Sequence, residues 1–271
     1  MEWELLWKQW GKSDPLAAME FLQSHDWRNW DPAAIRSARR KAVGEWAERN
    51  PRAAAAYLEA NDLLRPDDRS NLYGLIQGWS LYDPEAAAGW LFERGLGGEG
   101  EYLSLIQGIT RAGGQQGLHE WFEEIKATTS SGDLSGLGGL ICKRRFIVEP
   151  EAALDWLGRQ LDEPWASETH LAHSLIPALA QARPELVADW TLQQNRPDAL
   201  GAALWSWSAA DVAAAFDWLG RNPEAPLLQD KHYIALMGRF HAADPEAARR
   251  FVGSVASGPL REALLKAFQS R

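Results

Sequence analysis

A proline-anchored phrase recurs along this chain and restricts it to stacked supersecondary units. The proline or its equivalent stands at 15, 51, 84, 115, 150, 184, 212 and 245, at steps of 28 to 36 residues. Six residues later comes an aromatic ring every time: Phe21, Tyr57, Trp90, Trp121, Trp156, Trp190, Trp218 and Phe251. Self-similarity at such a period marks modules too small to bury their apolar faces alone, so each must lean on its neighbours.

The phrase reads as the start of a helix. Asp14, Asn50, Asp83, Asp211 and Asp244 fit the N-cap, where a side-chain oxygen accepts a free backbone N–H, while Glu149 and Arg183 are weaker caps. Proline next to the cap sacrifices no useful donor. The Ala-Ala pairs that follow at 17–18, 53–54, 86–87, 152–153, 214–215 and 247–248 form helix readily and leave room for a neighbour. The stretch before each phrase is also helical by period, as in Leu72, Leu75, Ile76 and Trp79. Trp10, Trp46, Trp79, Trp207 and Phe240 all lie five residues before the anchor. A turn of about three or four residues between the two helices predicts an antiparallel pair.

Glycine recurs late in the first helix, at Gly44, Gly78, Gly108 and Gly238, and Leu75-Ile76-Gln77-Gly78 is nearly repeated as Leu105-Ile106-Gln107-Gly108. A mid-helix glycine costs about 1 kcal/mol relative to alanine, so its recurrence predicts close helix–helix approach. Gly136, Gly138 and Gly139 weaken the fifth first helix. Pro177 should kink the sixth and free the His173 carbonyl. At the ends, Trp3, Leu6, Trp7 and Trp10 share one face of an opening helix. Leu260, Leu264, Ala267 and Phe268 share a face of a closing one past Gly258-Pro259.

This layout resembles the α-solenoid superfamily of tetratricopeptide-like and HEAT-like repeats, in the spacing of proline and tryptophan and the period near 34. The likeness covers nearly the whole chain. It implies an all-α, right-handed α-solenoid of about eight antiparallel hairpins with a C-terminal capping helix, forming one domain over 1–271. It also implies a non-enzymatic scaffold that binds a protein or peptide along a curved surface, with no cofactor or metal.

Composition narrows the partner. A formal net charge of −9 weighs against a nucleic-acid binder, whose affinity depends on neutralising phosphates. The clusters Arg36-Arg39-Arg40-Lys41 and Lys143-Arg144-Arg145 keep nucleic acid as the alternative, through a HEAT-like basic face. They would equally receive a carboxylate-rich peptide, unless acids such as Glu45 and Glu48 neutralise them. An enzyme on a closed helical toroid is the second alternative. Cys142 is the only cysteine, so no internal disulfide is available. The opening Met1-Glu2-Trp3-Glu4 does not read as a signal peptide, and no apolar run approaches membrane-spanning length, which predicts a cytoplasmic protein without membrane contact.

The expected partner-binding residues are the polar positions of the first helices, Arg36, Arg40, Asn71, Gln77, Gln107, Lys143, Arg144, Lys231 and Arg239. Trp27 and Trp30, which fall outside both aromatic registers, join them as candidate anchors if exposed. His170 and His173 with Glu168 form a weak metal-ligand spacing, and a solvated helix face is the plainer reading.

Overall fold

The computed structural model describes residues 2–222, 230–254, 261, 262, 265 and 266. The expected closing helix lies outside them, apart from isolated helical residues, as do the Pro223 turn and the side chain of Lys231. The described residues are helical and contain no strand. The first eight helices are α1 (Glu2–Ser13), α2 (Pro15–Ser24), α3 (Pro32–Ala47), α4 (Pro51–Ala60), α5 (Ser70–Trp79), α6 (Pro84–Glu93), α7 (Glu99–Ile125) and α8 (Ser131–Val148). Then follow α9 (Pro150–Gly158), α10 (Glu168–His170), α11 (Ile176–Ala182), α12 (Pro184–Gln193), α13 (Pro197–Ala210), α14 (Val212–Arg221), α15 (Asp230–Ala243) and α16 (Pro245–Ser254). Packing divides the chain into two compact units, Met1–Leu140 and Ile141–Arg271.

Local chemistry sets where the second helices begin. The side chains of Asp14, Asn50, Asp83, Asp211 and Asp244 each accept the backbone N–H three residues on, whereas Glu149 and Arg183 make no such bond. Several connections are shorter than the three or four residues expected. At Asp14, Glu149, Arg183, Asp211 and Asp244 a single residue separates the helices. Each of these five donates its own N–H to the helix it leaves, as Asp14 does to the Trp10 carbonyl and Asp211 to that of Trp207. One residue thereby ends one helix and opens the next, so no longer turn is needed.

Aromatic pairs close the hairpins. The ring five residues before the anchor meets the ring six after it in Trp10/Phe21, Trp46/Tyr57, Trp79/Trp90 and Phe240/Phe251, with centroids 5.3 to 6.1 Å apart. The inner members Trp90, Trp121, Trp156, Trp190 and Trp218 are buried, while Phe21 is exposed and Tyr57 and Phe251 are half-buried. Rings of this size carry much of the buried apolar area, at roughly 25 cal/mol per Å².

Between hairpins, the first helices pack on one another. In the first unit α1 meets α3, α3 meets α5, and α5 meets α7. In the second, α11 meets α13, and α13 meets α15. The α3–α5 contact is the most extensive, and glycine explains it. A Cβ on Gly74 would run into the Arg40 carbonyl, and one on Gly78 into that of Gly44. The two backbones therefore touch, which fixes the side chains alongside the seam.

Two first helices depart from the regular form. The fourth hairpin has neither proline nor a capping residue at its turn, and α7 runs through it with one break, at Gly114 (φ 67°, ψ −163°). In the sixth, a π-helical turn over Leu171–Leu175 ends two residues before Pro177, and Ile176 donates to the Leu171 carbonyl. The wider turn absorbs the donor that proline lacks. Ser206 on α13 donates to the Pro177 carbonyl at 3.0 Å.

Candidate functional site

The α3–α5–α7 seam brings three of the expected residues together. Arg40 sits where Gly74 lets α5 touch α3, and the duplicated Leu-Ile-Gln-Gly segments place Gln77 on α5 and Gln107 on α7. The Arg40 guanidinium crosses the seam, its Nη2 donating to Gln77 Oε1 at 3.0 Å and Gln107 Oε1 at 3.2 Å. An arginine can only donate, so both amides must turn their oxygens toward it. Their NH2 groups then remain as donors with no acceptor among the described residues. The glutamines hold the cation in place, and no carboxylate among the described residues is ion-paired with it.

Arg40 lines two adjoining cavities. One, of about 410 Å³, is bounded by Glu4, Lys41, Glu45, Glu48 and Arg111 together with the two glutamines. The other, of about 440 Å³, reaches Arg36, Asp68 and Tyr73. Glu45 and Glu48 are ion-paired, though not with the neighbouring arginines: Lys8 lies 3.5 Å from Glu45 and Arg111 lies 3.3 Å from Glu48. Arg39 pairs with Asp68 at 2.7 Å. Burial raises the Asp68 carboxyl, but hydrogen bonds from Ser70 and Arg39 outweigh it and hold it below the ordinary carboxylate range. Arg36 is exposed, and neither it nor Arg40 has a carboxylate partner among the described residues. The surface offers a fixed guanidinium, two amide donors and pre-formed ion pairs, a setting suited to polar recognition.

The remaining expected residues serve elsewhere. Asn71 is buried and donates to the Leu63 carbonyl at 3.0 Å, tying a loop to α5. Trp27 is half-buried, donates its indole N–H to the Leu22 carbonyl at 3.0 Å, and packs edge-on against Trp3, Phe21 and Trp30. Trp30 stacks on Trp3 at 4.9 Å and stays 45% exposed.

In the second unit, Arg144 is exposed and Lys143 half-buried. Burial, with a contribution from the Lys143 charge, lowers the His170 pKa below its ordinary value. Arg239 lies over the Trp205 ring at 3.5 Å and donates to the Trp205 carbonyl and to Ser208 Oγ. Beside it, His173, Asp198, Trp205 and His232 line a cavity of about 340 Å³. Glu168 is occupied at the start of α13, where its Oε1 accepts the N–H groups of Asp198 and Ala199. His173 Nδ1 bonds the Thr169 carbonyl at 2.8 Å. Among the described residues, no group of three or more His, Cys, Asp or Glu is placed to hold a metal ion. No helix there is long and apolar enough to cross a membrane.

Sequence reasoning did not reach Glu4, Tyr73 or Arg111. Each joins the Arg40 cavities through helix stacking, and only the period of their own helices hinted at a common face. Comparison with protein-family models, curated proteins and solved structures finds no match.

Proposed function

We propose that this chain is a non-enzymatic helical-repeat scaffold that binds a protein or peptide along the polar face of its first helices, centred on Arg40. The observation that carries the reading is a guanidinium held by Gln77 and Gln107 from two successive helices, with no direct carboxylate partner among the described residues. Holding a charged donor rigid before a partner arrives lowers the cost of binding. The stacking of α1, α3, α5 and α7, and of α11, α13 and α15, supports an α-solenoid with interdependent modules.

A peptide suits this face better than a nucleic acid. The 410 Å³ cavity sets Arg40, Lys41 and Arg111 against Glu4, Glu45 and Glu48, so its formal charges balance. Arg145 of the second basic cluster lies 3.4 Å from Glu149. A polyanion needs a surplus of cations along its backbone, whereas a mixed-charge segment finds partners of both signs.

Selection from a displayed library of random peptides tests the reading. Recovered peptides should bind the parent protein and lose on the order of tenfold or more in affinity for Arg40→Ala. Peptides that bind both proteins equally, or a selection that enriches nothing, would refute it.

A further inference from the structure

The position five residues after each anchor carries a second pattern. It is a carboxylate in five hairpins, Glu20, Glu120, Asp155, Asp189 and Asp217, and Arg250 in the last. Only the second and third hairpins have small residues there, Ala56 and Gly89. The second unit shows one use for the acid: Asp189 on α12 accepts the indole N–H of Trp218, the register tryptophan of the following hairpin, at 2.7 Å.

Trp90 stands in the same relation to Ala56 as Trp218 does to Asp189, and alanine offers it no acceptor. The Trp90 ring is nine-tenths buried, yet its N–H donates to nothing among the described residues. In place of the missing side chain there is a cavity of about 420 Å³ between α4 and α6, with Ala56, Gly89, Trp79 and Trp90 among its walls. A Cβ built on Gly89 would meet nothing within 4 Å. Two arginines also line the cavity. Arg94 is engaged, 2.7 Å from Glu59 and stacked over the Trp90 ring at 4.6 Å. Arg52, one helical turn before Ala56, is exposed and has no acid partner among the described residues.

We propose that this cavity docks an aspartate or glutamate side chain of a partner protein. The incoming carboxylate accepts the Trp90 N–H, as Asp189 does for Trp218, and pairs with Arg52. One unpaired guanidinium and one indole donor match a single negative charge. Glu59 and Glu93 in the same lining disfavour a phosphate dianion or a polyanion. The site lies on second helices and does not depend on the Arg40 face.

The test follows the Trp90 indole cross-peak in protein labelled with ¹⁵N-tryptophan, assigned by its loss in Trp90→Phe. N-acetyl-aspartate N-methylamide is the probe, and a single carboxylate should bind with Kd on the order of millimolar. The Trp90 peak should shift saturably with this probe and stay fixed with the capped asparagine analogue. Ala56→Asp supplies the acid internally and should abolish the response. Arg52→Gln, a surface change that leaves folding intact, should weaken it severalfold, and Arg40→Ala should leave it unchanged. The proposal is overturned if Trp90 does not respond, if the asparagine analogue acts equally, or if Ala56→Asp or Arg52→Gln retains the full response. Acetate saturating the shift at lower concentration than the capped aspartate would overturn it too, by assigning the cavity to a free small acid.

Discussion

Individual side chains divide into those that hold the chain together and those left with capacity to spare. Trp156 belongs to the first group, being 3% exposed at a register position. Its replacement by alanine should cost about 3–5 kcal/mol in a urea-unfolding measurement. Trp27→Ala should cost less, because that ring is half-buried in a connector, although it will also lose the bond to the Leu22 carbonyl. Equal losses at the two positions would contradict this division. Cys142 also serves packing. Burial pushes its thiol up to about 12, against small opposing contributions from Arg145 and Lys143. Since the thiolate is the reactive form, Cys142 should resist aromatic disulfide reagents at pH 8 in the native protein and react promptly once the chain is unfolded. Rapid native-state labelling would show that the thiol is reached by solvent.

At the scale of elements, starts were legible in the sequence because they depend on neighbouring atoms. Asp14, Asn50, Asp83, Asp211 and Asp244 cap their helices through bonds spanning three residues, and such bonds need no tertiary context. Connection lengths were less legible. A residue that serves both helices removes the turn, and only backbone geometry reveals that. The fourth hairpin shows the limit most clearly. Without proline or cap the two helices run together, and Gly114 alone supplies the break. Gly114 combines positive φ with extended ψ, a region essentially reserved for glycine, so Gly114→Ala should destabilise by about 1–3 kcal/mol. Gly113→Ala should be neutral or slightly stabilising, since no positive φ is required there and a Cβ would meet nothing within 4 Å. Thermal melting of the two variants separates these outcomes, and a harmless Gly114→Ala would mean the break is not fixed.

At the scale of the whole molecule, the sequence revealed repetition and left the pairing of charges hidden. The duplicated Gln77 and Gln107 segments were visible, as was the basic run at Arg36–Lys41. Their meeting was not, because the bond from Arg40 to Gln107 spans 67 residues and depends on two successive helix contacts. For the same reason Glu45 and Glu48, close to the arginines in sequence, are paired with Lys8 and Arg111. Stacking thus decides which cation is neutralised. Arg39 and Arg40 are neighbours in the chain with opposite fates, one bound to Asp68 and the other held by amides alone. Calorimetric titration of a library-selected peptide into Arg39→Gln and Arg40→Gln proteins compares them directly, with melting temperatures recorded alongside. Arg40→Gln is predicted to lower affinity on the order of tenfold with little change in melting, and Arg39→Gln to lower melting while affinity holds. Unchanged affinity in Arg40→Gln would contradict the assignment of this face to partner binding.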